Sequence, residues 1–285
     1  MKNPMEKRTQ QTQPLSKLLP QDTPDFSDIE LTPEEIERAM NDARMRKFRE
    51  MEEEKKKQQH LDKIQDMMKP WTIEELRMHI RQRAKTLPFH FMADQDNRFV
   101  IELLCLYFSG NPEFEKHGFK NKDGNLVQQY SLKKGICLHS QERGTGKTVL
   151  MDLFSINRRT CFVVMPTAKI SRFFEQDGDK IINRFSAPWA CERSPMYFYQ
   201  SPIGICFDDL GDEETKVHYG NRENVMNRIL AAIYGDHPDH SVFPFFHATT
   251  NLTGDEIEQK YDKRVRSRMR EMFNWIELPG KDRRR

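Results

Sequence analysis

An α/β fold, a parallel β-sheet flanked by helices, is predicted by three features of this 285-residue sequence. After residue 124, short apolar runs alternate with helical segments, the order that arises when crossover helices join parallel strands. One run, Gly135-Ile136-Cys137-Leu138-His139-Ser140, feeds the loop Gln141-Glu142-Arg143-Gly144-Thr145-Gly146 and then a helix start at Lys147-Thr148-Val149-Leu150-Met151. Another, Ile203-Gly204-Ile205-Cys206-Phe207, runs into two adjacent acids, Asp208 and Asp209. The predicted strands are 135–139, 161–165, 203–207, 245–249 and 275–278.

The segments before the sheet divide by composition. Residues 1–31 are rich in Gln, Pro, Lys and Thr and bury too little apolar surface to offset chain entropy, so this tail is expected to be disordered. Thr32-Pro33-Glu34-Glu35 combines a capping hydroxyl, a proline at the first helical position and a reciprocal glutamate, which predicts a helix over 33–69. Glu52-Glu53-Glu54 ahead of Lys55-Lys56-Lys57 adds opposite charges at helical spacing. The apolar stripe of this helix (Ile36, Met40, Ala43, Phe48, Met51, then Leu61, Ile64, Met68) lapses between Glu52 and His60. It suits either a solvated arm or an arm whose apolar patches dock a partner.

Pro70 ends that helix, and Thr72-Ile73-Glu74-Glu75 starts a shorter one reaching about Lys85. Globular texture begins at Pro88, with Phe99, Leu103, Leu104 and Tyr107 at helical spacing and a break at Gly110-Asn111-Pro112. Asn121-Lys122-Asp123-Gly124 predicts a hairpin. The expected organisation is a tail over 1–31, a helical arm over 32–86 and one α/β domain over 87–285.

Composition excludes little. Charged residues make up 32% of the chain, which agrees with part of its length staying outside a core, and the net charge of +2 selects no class of partner. Cys105, Cys137, Cys161, Cys191 and Cys206 form no CxxC pair and read as buried, reduced thiols. The N-terminus has no apolar signal core, and the apolar stretch around 101–108 is interrupted by Glu102 and too short to span a bilayer, so a soluble, cytoplasmic protein is expected.

The strand, loop and helix around Lys147 have the order of a phosphate-binding P-loop. Gly144 and Gly146 let backbone N–H groups wrap phosphates, Lys147 neutralises their charge, and Thr148 offers a hydroxyl to Mg²⁺. Arg143, Thr145 and Val149 complete the expected ATP contacts. The strict pattern asks for glycine where Gln141 stands, which is expected to restrict the start of the loop. A chance glycine turn before a helix is the competing reading.

Asp208 is assigned to Mg²⁺ and Asp209 to the attacking water, because adjacent carboxylates ending a buried strand need a metal or donors to offset their desolvation. The alternative is an acidic turn before Leu210-Gly211. A third polar tip, Thr249-Thr250-Asn251, places an amide where it can orient water, although Asn at that position is also a helix-cap residue. Beyond Leu252, Arg264, Arg266, Arg268 and Arg270 alternate along an expected helix, with Arg264 and Arg268 on one face. One pair can point at a nucleotide, the chain's own or a neighbour's, while the other binds carboxylates or stays solvated. Lys281 and Arg283 to Arg285 form a basic end that either touches phosphates or stays solvated.

With these residues in place, the sequence resembles the DnaC/IstB-like ATPases of the AAA+ class over about residues 88–280. The resemblance rests on Gly144-Thr145-Gly146-Lys147-Thr148, Phe207-Asp208-Asp209-Leu210-Gly211, Thr249-Thr250-Asn251 and the row from Arg264 to Arg270. It implies a P-loop NTPase fold, slow ATP hydrolysis stimulated by a partner or DNA, Asn251 as the water-sensing amide, and Arg268, then Arg264, as the arginine finger. It also implies a replicative DNA helicase (or a transposase) as partner, single-stranded DNA, and ATP-dependent homo-oligomers. Gln141, and Asp209 where many AAA+ proteins carry Glu, are the departures. A small-molecule P-loop kinase and a weakly hydrolysing ATP-sensing adaptor are the rival functions.

Overall fold

The computed structural model describes residues 28–89, 91–121, 123–189, 202–213, 216–218 and 221–283. The disordered tail expected over 1–31 falls almost wholly outside them, as does Cys191. The chain divides into two units, one up to His60 and one from Leu61 to Arg285. Helix α1 (Pro33–Met68) starts at the expected reciprocal cap. The Glu35 amide donates to Thr32 Oγ1 at 3.3 Å and the Thr32 amide to Glu35 Oε2 at 2.9 Å. Up to His60 every residue of this helix is exposed, Ile36, Met40, Phe48 and Met51 included. Local propensity and exposed pairs such as Lys47–Glu50 and Glu52–Lys56 support it there, each pair contributing roughly 0.2–0.5 kcal/mol.

In the second unit, α2 (Ile73–Thr86) begins at the expected Thr72/Glu75 capping box and buries Leu76 and Ile80. The unit thus takes in residues 61–86, which the sequence reading groups with the arm. Helix α3 (Arg98–Phe108) is buried continuously from Leu103 to Phe108. The predicted hairpin follows, with β1 (Gly118–Lys120) antiparallel to β2 (Leu126–Gln129) and Asn121 Oδ1 closing the turn by accepting the Asn125 N–H at 2.8 Å.

Then come β3 (Gly135–His139), α4 (Lys147–Phe154), β4 (Phe162–Pro166), α5 (Thr167–Asp177), α6 (Asp179–Phe185) and β5 (Gly204–Leu210). A short antiparallel pair, β6 (Lys216–His218) and β7 (Asn221–Glu223), precedes α7 (Val225–Asp236), β8 (Phe246–Thr250), α8 (Gly254–Tyr261), α9 (Lys263–Met272) and β9 (Phe273–Glu277). Five strands form one sheet in the order β4-β5-β8-β3-β9, with every neighbouring pair parallel. All five predicted strands are present within a few residues of their expected bounds.

Successive side chains of a strand point to opposite faces, and both faces of this sheet are covered. Ile136, Leu138 and Cys206 pack with α2, α3 and α4, while Cys137, Ile205 and Phe207 pack with α5 to α9. That is why these strands read as unbroken apolar runs. The buried Cys105, Cys137, Cys161 and Cys206 are free thiols. Burial pushes the Cys105 thiol up to about 12 and raises the Cys137 and Cys206 thiols as well, so these thiols stay protonated. Among the described residues no helix is long and apolar enough to cross a membrane.

The arginine row lies, as expected, on a helix after Leu252, here α9. Asp262, at φ 91°, breaks the chain between α8 and α9 and caps α9 by accepting the Val265 N–H at 2.9 Å. The strand expected to end at Phe207 runs on to Leu210 through a register irregularity against β8 between Phe207 and Leu210. Asp209 sits there at φ 52°, a left-handed conformation that aspartate tolerates better than most residues.

Candidate functional site

The C-terminal ends of β3, β8 and β5 lie side by side, since β8 separates the other two in the sheet. Crevices at these ends are where open parallel sheets bind ligands. A cleft of about 790 Å³ opens there, lined by residues 143–149 with Asp209, Asp212 and Asn251. Its size falls within the roughly 300–1,000 Å³ typical of small-molecule sites. Arg143, Gly144, Thr145, Gly146, Lys147, Thr148 and Val149 are therefore brought together around one cavity.

Gly144 and Gly146 carry φ of 73° and 96°, and α4 begins immediately after. Left-handed glycines ahead of a helix N-terminus turn successive N–H groups inward, the geometry of an anion nest. Gln141, by contrast, has no positive φ, so the missing glycine imposes no backbone strain at the start of the loop.

Three segments far apart in sequence meet through side chains. Lys147 Nζ donates to Asn251 Oδ1 at 2.6 Å and lies 3.5 Å from the Glu142 carbonyl. Thr148 Oγ1 donates to Asp208 Oδ1 at 2.9 Å. The same carboxylate oxygen accepts from Thr249 Oγ1 at 2.7 Å, and Thr249 Oγ1 accepts the Asp209 N–H at 2.8 Å. One threonine on β8 thus holds both acids of β5. In a regular strand adjacent residues face opposite sides; the bulge is what leaves Asp208 buried against Thr148 while Asp209 reaches the cleft wall.

The helix-cap reading of Asn251 does not apply, because Thr253 caps α8 in a capping box with Glu256. The loop after the acids is tied to α8. Tyr261 OH donates to buried Glu213, whose other oxygen accepts the Gly211 N–H at 2.8 Å, and Lys260 Nζ donates to the Gly211 and Glu213 carbonyls at 2.6 and 3.0 Å.

The donor set fits Mg²⁺. Thr148 and Asp208 present a hydroxyl and a carboxylate in contact, oxygen ligands suited to a hard cation that draws its remaining shell from phosphate and water. No group of three or more His, Cys, Asp or Glu side chains that could cage a metal exists among the described residues.

The arginine row lies elsewhere in this chain. Arg264 is exposed, Arg268 stacks over the Tyr234 ring at 5.0 Å, and Arg266 pairs with Asp255 at 3.1 Å and Glu258 at 2.5 Å. None of them lines the cleft. Arg266 thus takes the carboxylate-binding part the sequence allowed to one pair.

Phe89, Phe91 and Met92 line the cleft and were not singled out from sequence, and Arg283 of the basic end lines it with them. No spacing marks the first three, which lie in an irregular stretch before α3. Arg283 is not merely solvated: it forms a two-point pair with Asp94 and lies 4.0 Å from Asp96.

No family model and no characterised protein matches the sequence. Among solved structures the chain is similar to DnaI (18% identity, covering 68% of this chain and 87% of that one, TM-score 0.39). It is also similar to the DnaC helicase loader (14% identity, 67% and 94% coverage, TM-score 0.41).

Proposed function

We propose that this chain is an ATPase of the AAA+ type that acts as a helicase loader. The observation that carries the reading is the meeting of Lys147 with Asn251 and of Thr148 with Asp208 at one cleft. Lys147 and the loop amides bind the phosphate chain, and the Phe89, Phe91 and Met92 wall offers an apolar surface for the base. Thr148 and Asp208 would hold Mg²⁺, which when bound neutralises charge on the β- and γ-phosphates. Those two side chains are hydrogen-bonded to each other, which keeps the hydroxyl and the carboxylate together at one point of the cleft. Asp209 accepts the proton of the attacking water, and Asn251 orients that water.

Arg268, or Arg264, supplies its guanidinium to a neighbouring copy's cleft, since neither lines the cleft of its own chain. The exposed apolar residues of α1 (Ile36, Met40, Phe48 and Met51) grip a replicative helicase, and the assembled ATPase units bind single-stranded DNA in the cytoplasm.

The test is turnover and particle size with and without ATP and single-stranded DNA. Nucleotide-dependent oligomers whose turnover rises with DNA support the loader. A monomer that phosphorylates an added acceptor replaces it with a kinase, and slow turnover indifferent to DNA replaces it with an adaptor. Wild-type turnover in oligomeric Arg268→Ala and Arg264→Ala would remove the finger assignment. Removing residues 1–60, which spares α2 and the core, is expected to abolish helicase binding and leave ATP binding intact.

A further inference from the structure

A second cavity, of about 600 Å³, opens against the edge of the sheet and shares no lining residue with the nucleotide cleft. Its floor follows from strand register. Trp275 and Glu277 of β9 stand two apart and pair with Cys137 and His139 of β3, so Trp275, Glu277 and His139 lie on one face, the face that α8 and α9 cover. Strand β9 is the last of the sheet, and on its far side the hairpin takes the place of a neighbour. Gln128 Oε1 accepts the Trp275 N–H at 3.0 Å, and Gln128 Nε2 donates to the Arg270 and Phe273 carbonyls at 2.7 and 2.9 Å. The cavity lies between the hairpin, these strand ends and the two helices.

Its wall combines two kinds of chemistry. Phe119, Val127, Ile257 and Trp275 give an apolar bed. Around it stand four cations, Lys120, Lys134, Arg266 and Arg270, against one carboxylate, Glu277. Arg266 is paired with Asp255 and Glu258, whereas Arg270 forms no ion pair among the described residues.

Three nitrogens of these wall residues, Trp275 Nε1, Arg266 Nε and His139 Nε2, are shielded from solvent and have no hydrogen-bond partner among the described residues. Folded proteins pair nearly all such groups, so three around one cavity require a reason. The indole and guanidinium nitrogens can only donate, and what they lack is an acceptor. Burial lowers the pKa of His139, which keeps its ring neutral near pH 7. A metal ion does not suit the site, since the indole and guanidinium nitrogens offer it no lone pair.

We propose that this cavity is a second binding site, for a small organic anion with a flat apolar body. The body lies on Trp275 and Ile257, and Arg270 takes the carboxylate or phosphoryl head, with the Trp275 and Arg266 N–H groups as further donors. A cavity of this size lets the indole ring and the guanidinium turn toward that head as it enters. Gln141, which stands where the strict loop pattern asks for glycine, lines this cavity and not the nucleotide cleft, so it offers the anion site an amide that glycine could not. The inference does not rest on the nucleotide reading.

The test adds 2-naphthoate, 2-naphthyl phosphate and 2-naphthalenemethanol, which are carboxylate, phosphate and neutral forms of one flat body, to the full chain carrying 15N-labelled tryptophan. The sequence has three tryptophans, Trp71, Trp189 and Trp275, so three indole N–H signals result, and Trp275→Phe identifies the third. Saturable movement of the Trp275 signal by at least one anion is expected, with the alcohol at least tenfold weaker. The tighter of the two anions shows which head the site takes. Trp275 does not line the nucleotide cleft, so phosphate held there leaves its signal in place and the nucleotide reading stands or falls separately.

Arg270→Gln is expected to weaken the anion about tenfold and leave the alcohol unchanged, the loss of a charge-assisted hydrogen bond. Val127→Glu, at a position 56% exposed, sets a like charge in the wall and is expected to weaken the anion by a similar factor. Trp71 and Trp189 signals at their wild-type positions check that each variant is folded, and should one variant fail, the other carries the test. A Trp275 signal that none of the three compounds moves overturns the proposal. So does equal binding of alcohol and anions, which would make the cavity an apolar hole, and so does wild-type anion affinity in both variants.

Discussion

The two ends of the central sheet handle buried polar groups in opposite ways. At the N-terminal end of β9, fully buried Asn274 is saturated by main chain: its Nδ2 donates to the Ser131, Lys134 and Gly135 carbonyls at 2.9, 3.3 and 2.9 Å, and its Oδ1 accepts the Ser131 N–H at 2.8 Å. At the C-terminal ends of β3, β5 and β8, Lys147, Thr148, Asp208, Thr249 and Asn251 bond largely to one another's side chains. Polar groups matched to backbone cannot exchange partners without unfolding something, whereas groups matched to each other can trade them for a ligand. The first arrangement serves stability and the second leaves binding possible.

The largest effect should come from the exchangeable end. Asp209→Asn is expected to lower ATP turnover by roughly 10²–10⁴ with nucleotide affinity within about threefold of wild type. Steady-state hydrolysis beside direct binding checks this, and equal losses in both would make Asp209 a structural residue. At the saturated end, Asn274→Leu strands several main-chain groups and should destabilise the fold by about 3 kcal/mol, while folded molecules keep their nucleotide affinity. Urea unfolding with and without ADP distinguishes the two quantities.

Thr249→Val, nearly isosteric, tests the junction. It leaves the Asp209 N–H without its acceptor, so it should lower both stability and turnover, by about 1–2 kcal/mol each. A change in one alone would show that the two ends are independent.

His247 offers the mildest probe. It lies in β8 between the ends, with Nδ1 accepting the Ile136 N–H at 3.1 Å. Burial lowers its pKa from 6.5 to about 3. The unfolded chain therefore binds more protons than the folded one between those values, and stability must fall as pH drops through that window, by up to about 1.4 kcal/mol per unit. Unfolding midpoints measured from pH 7 to pH 4 should show this slope, and His247→Gln should flatten it.

Much of the molecule was readable from local chemistry. Both N-terminal capping boxes, the long helix, the hairpin at Asn121 and all five sheet strands depend on caps, turn residues and apolar runs of a few residues, which act over a turn or two of chain. The turn of the glycine loop into α4 was readable for the same reason, as Gly144 and Gly146 work through their immediate neighbours. Short-range reasoning erred where a neighbour distant in sequence decides. Strand β5 continues past Phe207 because Thr249 and Thr250 on β8 hold its acids and Leu210.

By itself, the sequence determined which segments become strands and helices, and which residues can carry phosphate, metal and proton chemistry, since periodicity and residue type are properties of the chain alone. Tertiary structure decided how these meet. Strand order set β8 between β3 and β5, so that Asn251 reaches Lys147 and Thr249 reaches both acids. The return of residues 278–283 brought Arg283 to Gly144 and Asp94. Contacts between residues more than a hundred positions apart arise only when the sheet and its covering helices close, because their partners are chosen by packing and leave no period or spacing in the chain.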